Sequence, residues 1–332
     1  MDLGRRFARQ LTADPGVDRV IGVDVLPPRG DIGTVQFVRA DIRNPVIAKV
    51  IAREQVDTVV HMSVIASPGS AGGRTSMKEL NVIGTMQLLA AAQQSPTLQH
   101  LVVKSSTAFY GATNRDPAMF TEDMTPKRQV RSGYVKDVGE VEAYVRGFAR
   151  RRPDVTVSML RAANVIGPLI SSPMTSYFRL PVIPTVLGFD ARLQFLHEHD
   201  MLGSLQHATL NPVHGTFNVA GDGLLMLSQA IRRLGRPTIK LPTFAVSSFG
   251  SAIRQARLAD FSPEQVAFLS FGRGVDTTRM RKVLGYAPRY STPAAFADFG
   301  TALAPGVFSA ARIEGAEQAI TGALTSGGGN RA

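Results

Sequence analysis

The chain reads as an α/β protein: a doubly wound parallel sheet with helices on both faces, followed by a smaller C-terminal lobe. Two observations predict this class. Short apolar runs alternate with amphipathic helical stretches four times on the way to Pro168, the pattern of parallel strands joined by crossover helices. Those runs close in polar residues, Asp24, Asp41, His61 and the Ser105-Ser106 pair, as strands do when they deliver chemistry to one edge of a sheet. At 332 residues, 44% hydrophobic and 19% charged, the chain has material for one such globular domain and a small lobe.

Leu3, Phe7 and Leu11 stand at i, i+4 and i+8, predicting an opening helix that Asp14-Pro-Gly16 ends. Val20–Asp24 is a buried strand closing in an acid before the breaker Pro27-Pro28. Helix, strand, then Asp is the second half of a dinucleotide-binding βαβ unit. Asp24 would accept hydrogen bonds from adenosine ribose hydroxyls, favouring NAD over its 2′-phosphorylated relative, NADP; an ordinary turn residue is the alternative. Val35–Ile42 is the next strand, and Asn44-Pro45 predicts a helix start with Asn as N-cap. Asp57–Ser63 is a further strand, and Pro68–Arg74 a glycine-rich loop able to cover a ligand.

The segment His100–Gly111 runs as an apolar strand into a loop carrying Ser105 and Ser106, and a helix opens near Gly133-Tyr134 and continues through Phe148. A Ser at a strand's end and a Tyr at the start of a later helix suit carbonyl/alcohol chemistry. The Ser hydrogen-bonds the reacting oxygen while the phenol passes its proton. The competing reading is structural: Tyr134, Val138, Val141, Val145 and Phe148 form a stripe that marks a core-facing helix.

Ser106-Thr-Ala-Phe-Tyr-Gly111 together with Tyr134 resembles the Ser and Tyr motifs of the extended short-chain dehydrogenase/reductases, the NAD-dependent epimerases and dehydratases, many of which act on nucleotide sugars. The resemblance implies a Rossmann-like sheet, NAD as cofactor, Tyr134 as acid/base and Ser106 on the reacting oxygen. It departs at one place: the family's Tyr-x-x-x-Lys has Val138 where the Lys belongs. That Lys lowers a Tyr pKa which starts near ~10, by roughly 1–3 units. Lys136 points about 200° away from Tyr134 on a helix; Lys104, two residues before Ser106 on the same strand face, is the candidate replacement.

Other positions follow from the same resemblance. Gly4 matches the last glycine of a Gly-x-x-Gly-x-x-Gly turn, whose earlier members and preceding strand are not in this sequence. The missing strand would be central, so the sheet should expose two unpaired edges in its middle. The expectation is a start set too far downstream or a truncated chain, and a 332-residue form that binds dinucleotide poorly. Asp41 and Ile42 match the adenine-contacting position. His61 precedes residues unlike the family's usual small apolar ones, Asn81 is expected to steady the sheet, and Gly84 to permit close packing. Val155–Pro168 resembles the strand-to-substrate-loop motif Arg-x-x-Asn-x-x-Gly-Pro, with Arg161 structural and Asn164 facing the substrate. Arg273 is the candidate contact to a substrate diphosphate, with a capped surface helix as the alternative.

The implied domains are 1–168 with 190–235 as the NAD-binding core, 169–189 with 236–305 as the substrate lobe, and a partly disordered tail from 306. His197-Glu-His-Asp200 invites a metal, but the spacing does not match a helical His-Glu-x-x-His, and Asp200 reads better as a helix N-cap, so no metal is predicted. Leu224–Leu234 reads as an amphipathic helix.

The chain has no Cys, which excludes disulfides and thiolate sites. No apolar run approaches the ~18 residues of a membrane span. Arg5, Arg6 and Arg9 precede no signal-peptide-like apolar core, and cytoplasm is the expected compartment. The net charge of +11 is spread over separate Arg-rich clusters without interleaved aromatics, which disfavours nucleic acid. The sequence therefore points to an NAD-dependent epimerase or dehydratase of a nucleotide sugar, with a homodimer compatible. The second reading is a cofactor-binding regulator or scaffold that has lost the reaction.

Overall fold

The computed structural model describes residues 3–62, 64–66, 72–126, 133–242 and 262–303. Expectations placed on Ser63, Gly69, Lys127, Arg128, Arg131 and the tail from 306 lie outside these residues. In chain order the elements begin with α1 (Leu3–Thr12), β1 (Ile21–Asp24), β2 (Gln36–Arg39), α2 (Val46–Arg53) and β3 (Thr58–His61). Next come α3 (Arg74–Lys78), a wide π-helical turn over Glu79–Gly84, α4 (Thr85–Gln94), β4 (His100–Ser106), α5 (Gly133–Arg151) and β5 (Thr156–Ala162). The remainder holds β6 (Asn164–Ile166), α6 (Pro173–Phe178), β7 (Ile183–Val186), β8 (Arg192–Leu193), β9 (Phe195–His197) and α7 (Glu198–Leu210). It closes with β10 (Gly215–Val219), β11 (Leu225–Met226), α8 (Leu227–Arg233), β12 (Thr238–Leu241), α9 (Pro263–Phe271) and α10 (Thr292–Thr301).

The main sheet is parallel throughout, in the order β10-β5-β4-β3. Strands β1 and β2 form a separate parallel pair, so β1 and β3 are not hydrogen-bonded to each other. The two sheets are thus divided at this point. Helix-side packing bridges it: Val23 of β1 and Val59 of β3 both lie against Ile47 and Ile51 of α2 and Leu88 of α4.

Strand alternation sorts β4 between two helix layers. Leu101, Val102 and Val103 are fully buried, as are Val138, Val141 and Phe148 on α5 and Met201 and Leu205 on α7. Ser105 reaches α5, where it hydrogen-bonds Glu142. His100 points the other way, with Nε2 on Ser158. Helix α1 docks on α7 through Phe7 and Leu11 and through an Arg6–Glu198 ion pair.

A second core gathers Tyr177 and Phe178 of α6, Phe195 of β9, Ile231 of α8, Phe268 of α9 and Phe296 and Phe299 of α10. Residues 190–235 feed both cores: Phe195 and Leu225 pack in the second, while Met201 and Phe217 pack in the first.

Two local expectations are corrected. Helix α7 starts at Glu198 with His197 as its cap, His197 Nδ1 accepting from His199 N at 3.2 Å. Asp200 is buried inside the first turn instead, and accepts from Arg289 N at 2.8 Å and Tyr290 N at 3.0 Å. Tertiary demand from two amides outweighs the local capping preference. The stretch from Leu224 is not helical from its start: Leu225 is buried and pairs antiparallel with Leu193, so β11 precedes α8. The helix start at Asn44 holds, with Asn44 Oδ1 accepting from Val46 N at 3.0 Å.

Candidate active site

Ser106 ends β4 and caps the single 3₁₀ turn Thr107–Tyr110, its Oγ accepting from Ala108 N at 3.1 Å. The turn closes on Gly111, whose φ of 74° lies in the left-handed region that glycine tolerates. The Ser106 side chain also acts on the Tyr134 phenol, drawing its pKa down. The structure therefore brings together the two residues the sequence singles out. Burial pushes the Tyr134 pKa up to about 12, while the Ser106 hydrogen bond and the Arg273 charge pull it down and Asp137 pushes it up.

Behind the turn lies a closed polar network. Arg161 grips Glu142 through Nε at 2.9 Å and Nη2 at 2.7 Å, and donates to the Tyr110 oxygen at 2.8 Å and to Glu122 O at 3.0 Å. Tyr110 in turn donates to Asn218 Oδ1 at 2.8 Å, and Asn218 Nδ2 donates to Phe120 O and Asp276 O. The Arg161 guanidinium also stacks over Phe109, 3.9 Å from the ring centre. This network pins the 107–111 turn, and with it Ser106, to β5 and β10. Sequence reasoning missed Glu142 and Asn218. Glu142 had a signal: an acid at i+4 from Val138 falls on the core-facing stripe of α5.

The other predicted positions divide into open and spent groups. Asp24 is exposed at the end of β1; its Oδ1 accepts from Leu26 N at 3.0 Å and Oδ2 has no partner among the described residues. Asp41 is held by Arg43 at 2.6–3.0 Å, which keeps its carboxyl below the usual range, and Arg43 also reaches Glu79. Ile42 packs where a side chain on Gly84 would fall, 2.7 Å from its Cδ1, so glycine there lets the two segments approach closely. Gly4 lies in the first turn of α1 and Asn164 starts β6, half-buried.

His61 and Asn81 are buried and act from behind. Asn81 clasps Ile65 on both sides, accepting from its N at 2.8 Å and donating to its O at 2.9 Å. Thr85 gives its hydroxyl proton to Asn81 O, so the 2.8 Å contact between His61 Nε2 and Thr85 Oγ1 makes Nε2 the protonated nitrogen. Burial and the Lys104 charge bring the His61 pKa down to about 4, so the ring is neutral. Asn81 therefore supports the loop after β3, while His61 ties the end of β3 to α4.

Lys104 does not take up the role expected of it. It is mostly buried beside His61, its single long hydrogen bond runs to Val64 O at 3.5 Å, and burial lowers its pKa to about 8. The charges acting on Tyr134 are Arg273 and Asp137. Arg273 is no surface helix residue: it is buried, with Nε on Gly111 O at 2.7 Å. Around His197–Asp200 every ligand-type side chain but one is engaged in the fold: His197 with Asp298, Glu198 with Arg6 and Leu169 N, and Asp200 with two amides.

Sequence comparison defines the class to which this site belongs. The model of the NAD dependent epimerase/dehydratase family matches residues 3–187, more than half of the chain, and the chain belongs to that family. It is 47% identical over 309 residues to an uncharacterized protein of Mycobacterium tuberculosis, covering 91% of this chain and 82% of the relative. A probable UDP-arabinose 4-epimerase of Oryza sativa is 27% identical over 136 residues, 41% of this chain and 32% of that one. Among solved structures, MoeE5 in complex with UDP-glucuronic acid and NAD shares the fold with a TM-score of 0.69 at 19% identity, covering 90% of this chain and 95% of that one. The UDP-glucose 4-epimerase of Thermotoga maritima, with UDP-glucose, also gives 0.69, at 16% identity over 91% and 95%.

NAD is the cofactor of the family, and unspent polar atoms at the carboxyl edge of the sheets suit it. The free Oδ2 of Asp24 suits ribose hydroxyls. The Lys104 ammonium, which among the described residues makes one long contact, suits a further hydroxyl or a phosphate oxygen.

Proposed function

We propose that the chain is an NAD-dependent epimerase or dehydratase that oxidises and re-reduces a carbon of a nucleotide sugar. The observation that carries this reading is the placement of Ser106 at the carboxyl end of β4, with its side chain acting on the Tyr134 phenol. Bound NAD supplies the hydride acceptor and donor. Tyr134 takes the proton of the reacting hydroxyl as the carbon is oxidised and returns it on reduction, while Ser106 hydrogen-bonds that oxygen. Asp24 holds the adenosine ribose, and Asn164 faces the sugar. The sugar-nucleotide ligands of MoeE5 and the Thermotoga epimerase support this substrate class. The test is incubation with NAD and a panel of UDP-hexoses: turnover that vanishes in Tyr134→Phe supports the reading, and turnover that survives that change removes it.

One observation favours a second reading, a cofactor-binding scaffold without turnover. Val138, one helical turn after Tyr134, is fully buried in the core, where the family pattern carries a lysine. NAD binding without turnover, unaltered by Val138→Lys, would favour the scaffold.

A further inference from the structure

Two buried arginines flank the 107–111 turn, and their surroundings differ. Arg161 has a bidentate carboxylate partner in Glu142. Arg273, equally withdrawn from solvent at 8% exposure, has no carboxylate at ion-pair distance among the described residues. Its Nε donates to Gly111 O at 2.7 Å, one Nη1 hydrogen reaches Thr107 Oγ1 at 3.4 Å, and its guanidinium lies 5.2 Å from the Phe268 ring centre. Among the described residues, three of its five N–H groups are left over. A buried cation without a counter-charge is costly, and the backbone is built to hold it there. Arg273 N donates to Arg192 O at 2.8 Å, and the preceding Gly272 has φ 69° with its missing Cβ only 2.1 Å from that same Arg192 O.

The neighbour that gives this charge a use is Tyr134. Arg273 holds both ends of the turn that Ser106 opens, at Thr107 and Gly111, and from there its charge acts on the phenol, as the Ser106 side chain does. We propose that Arg273 stabilises the Tyr134 phenolate, acting as the positioning charge that makes this phenol a usable proton acceptor. The inference rests on the reading of Tyr134 as acid/base. The other charged groups around it do not compete. Asp137, which opposes ionisation, is paired with Arg74 at 2.6 Å, and Arg74 also donates to Gly133 O at 2.9 Å. Glu264 of α9 lies against Gly133 and acts on Arg74. Lys136 faces Glu140, Asp116 acts on Arg273 from a distance, and Lys104 acts on a neutral His61. Position 138, where α5 itself could present a cation, holds Val138.

The test compares Arg273→Lys, which keeps the charge, with Arg273→Gln, which removes it, in the full chain with NAD and a UDP-hexose that turns over. Arg273→Gln should raise the midpoint of the acidic limb of the kcat profile by about one pH unit or more and cut kcat at neutral pH about tenfold, with Arg273→Lys close to the parent. An unmoved limb with KM raised in both variants would overturn the proposal and leave Arg273 as a diphosphate contact only. The phenolate ultraviolet absorbance of Tyr134, taken as the difference between each protein and its Tyr134→Phe counterpart, reads the same shift without turnover. If that titration moves in Arg273→Gln but no substrate turns over, the acid/base reading fails and the electrostatic one stands. If it does not move, the electrostatic one fails. Should Arg273→Gln not fold, Arg273→Met removes the charge while keeping an apolar stem against Phe268.

Discussion

Ser105 and Ser106 are adjacent hydroxyls on one strand with opposite fates. Ser105 turns into the α5 layer and donates to Glu142 at 2.7 Å, joining a network in which Arg161, Glu142, Tyr110 and Asn218 satisfy one another. Ser106 turns to the strand's open end, where Tyr134, Arg273 and Lys104 are strongly perturbed and incompletely partnered. Full satisfaction makes the first region a clamp. Residual polar capacity makes the second a place where a ligand gains by binding. The two-residue period of a strand is what separates them.

The sharpest break in this comparison is expected from Tyr134→Phe, which should lower turnover by about 10²–10⁴-fold while leaving the denaturant midpoint near that of the parent. On the clamp side, Arg161→Met removes the bidentate partner of Glu142, leaving the carboxylate to Ser105 and the more exposed Arg146. It should cost about 3–5 kcal/mol in urea unfolding; a loss below about 1 kcal/mol would show that the network is not what holds the turn. Gly272→Ala forces a Cβ onto Arg192 O and should cost about 2–3 kcal/mol, with Arg273 displaced. The two serines sharpen the contrast at smaller scale. Ser105→Ala should lose about 1–3 kcal/mol of stability, whereas Ser106→Ala should lose less stability and most of the activity; the reverse ranking would void the division.

The last prediction concerns pH. Lys104 titrates at about 8 in the fold against 10.5 in its ordinary state, so between those values the unfolded chain holds more protons and stability rises with pH. Below about pH 8 the cost of burying the ammonium is borne in full. Lys104→Met should remove that rise and stabilise the protein at neutral pH, as read by thermal unfolding from pH 7 to 10. His61, at about 4, has the same sign, with stability lost as pH falls from 6.5 toward 4.

Much of this was legible from residues alone. The Leu3-Phe7-Leu11 spacing, the strand closing at Asp24, the Asn44 start and the stripe on α5 are local signals, set by side-chain period and capping chemistry within a few residues. They were enough to place the strands and helices and to single out Ser106 and Tyr134. Motif order carried the family. Residues far apart in the chain were a different matter. That Asp200 would serve two amides near residue 290, that His61 and Asn81 would be spent behind the site, and that Lys104 would face Val64 all depended on which segments meet. The charge beside Tyr134 comes from Arg273, more than a hundred residues downstream. No periodicity encodes such a meeting, because burial and Coulomb forces act through space and become readable only once the chain has folded.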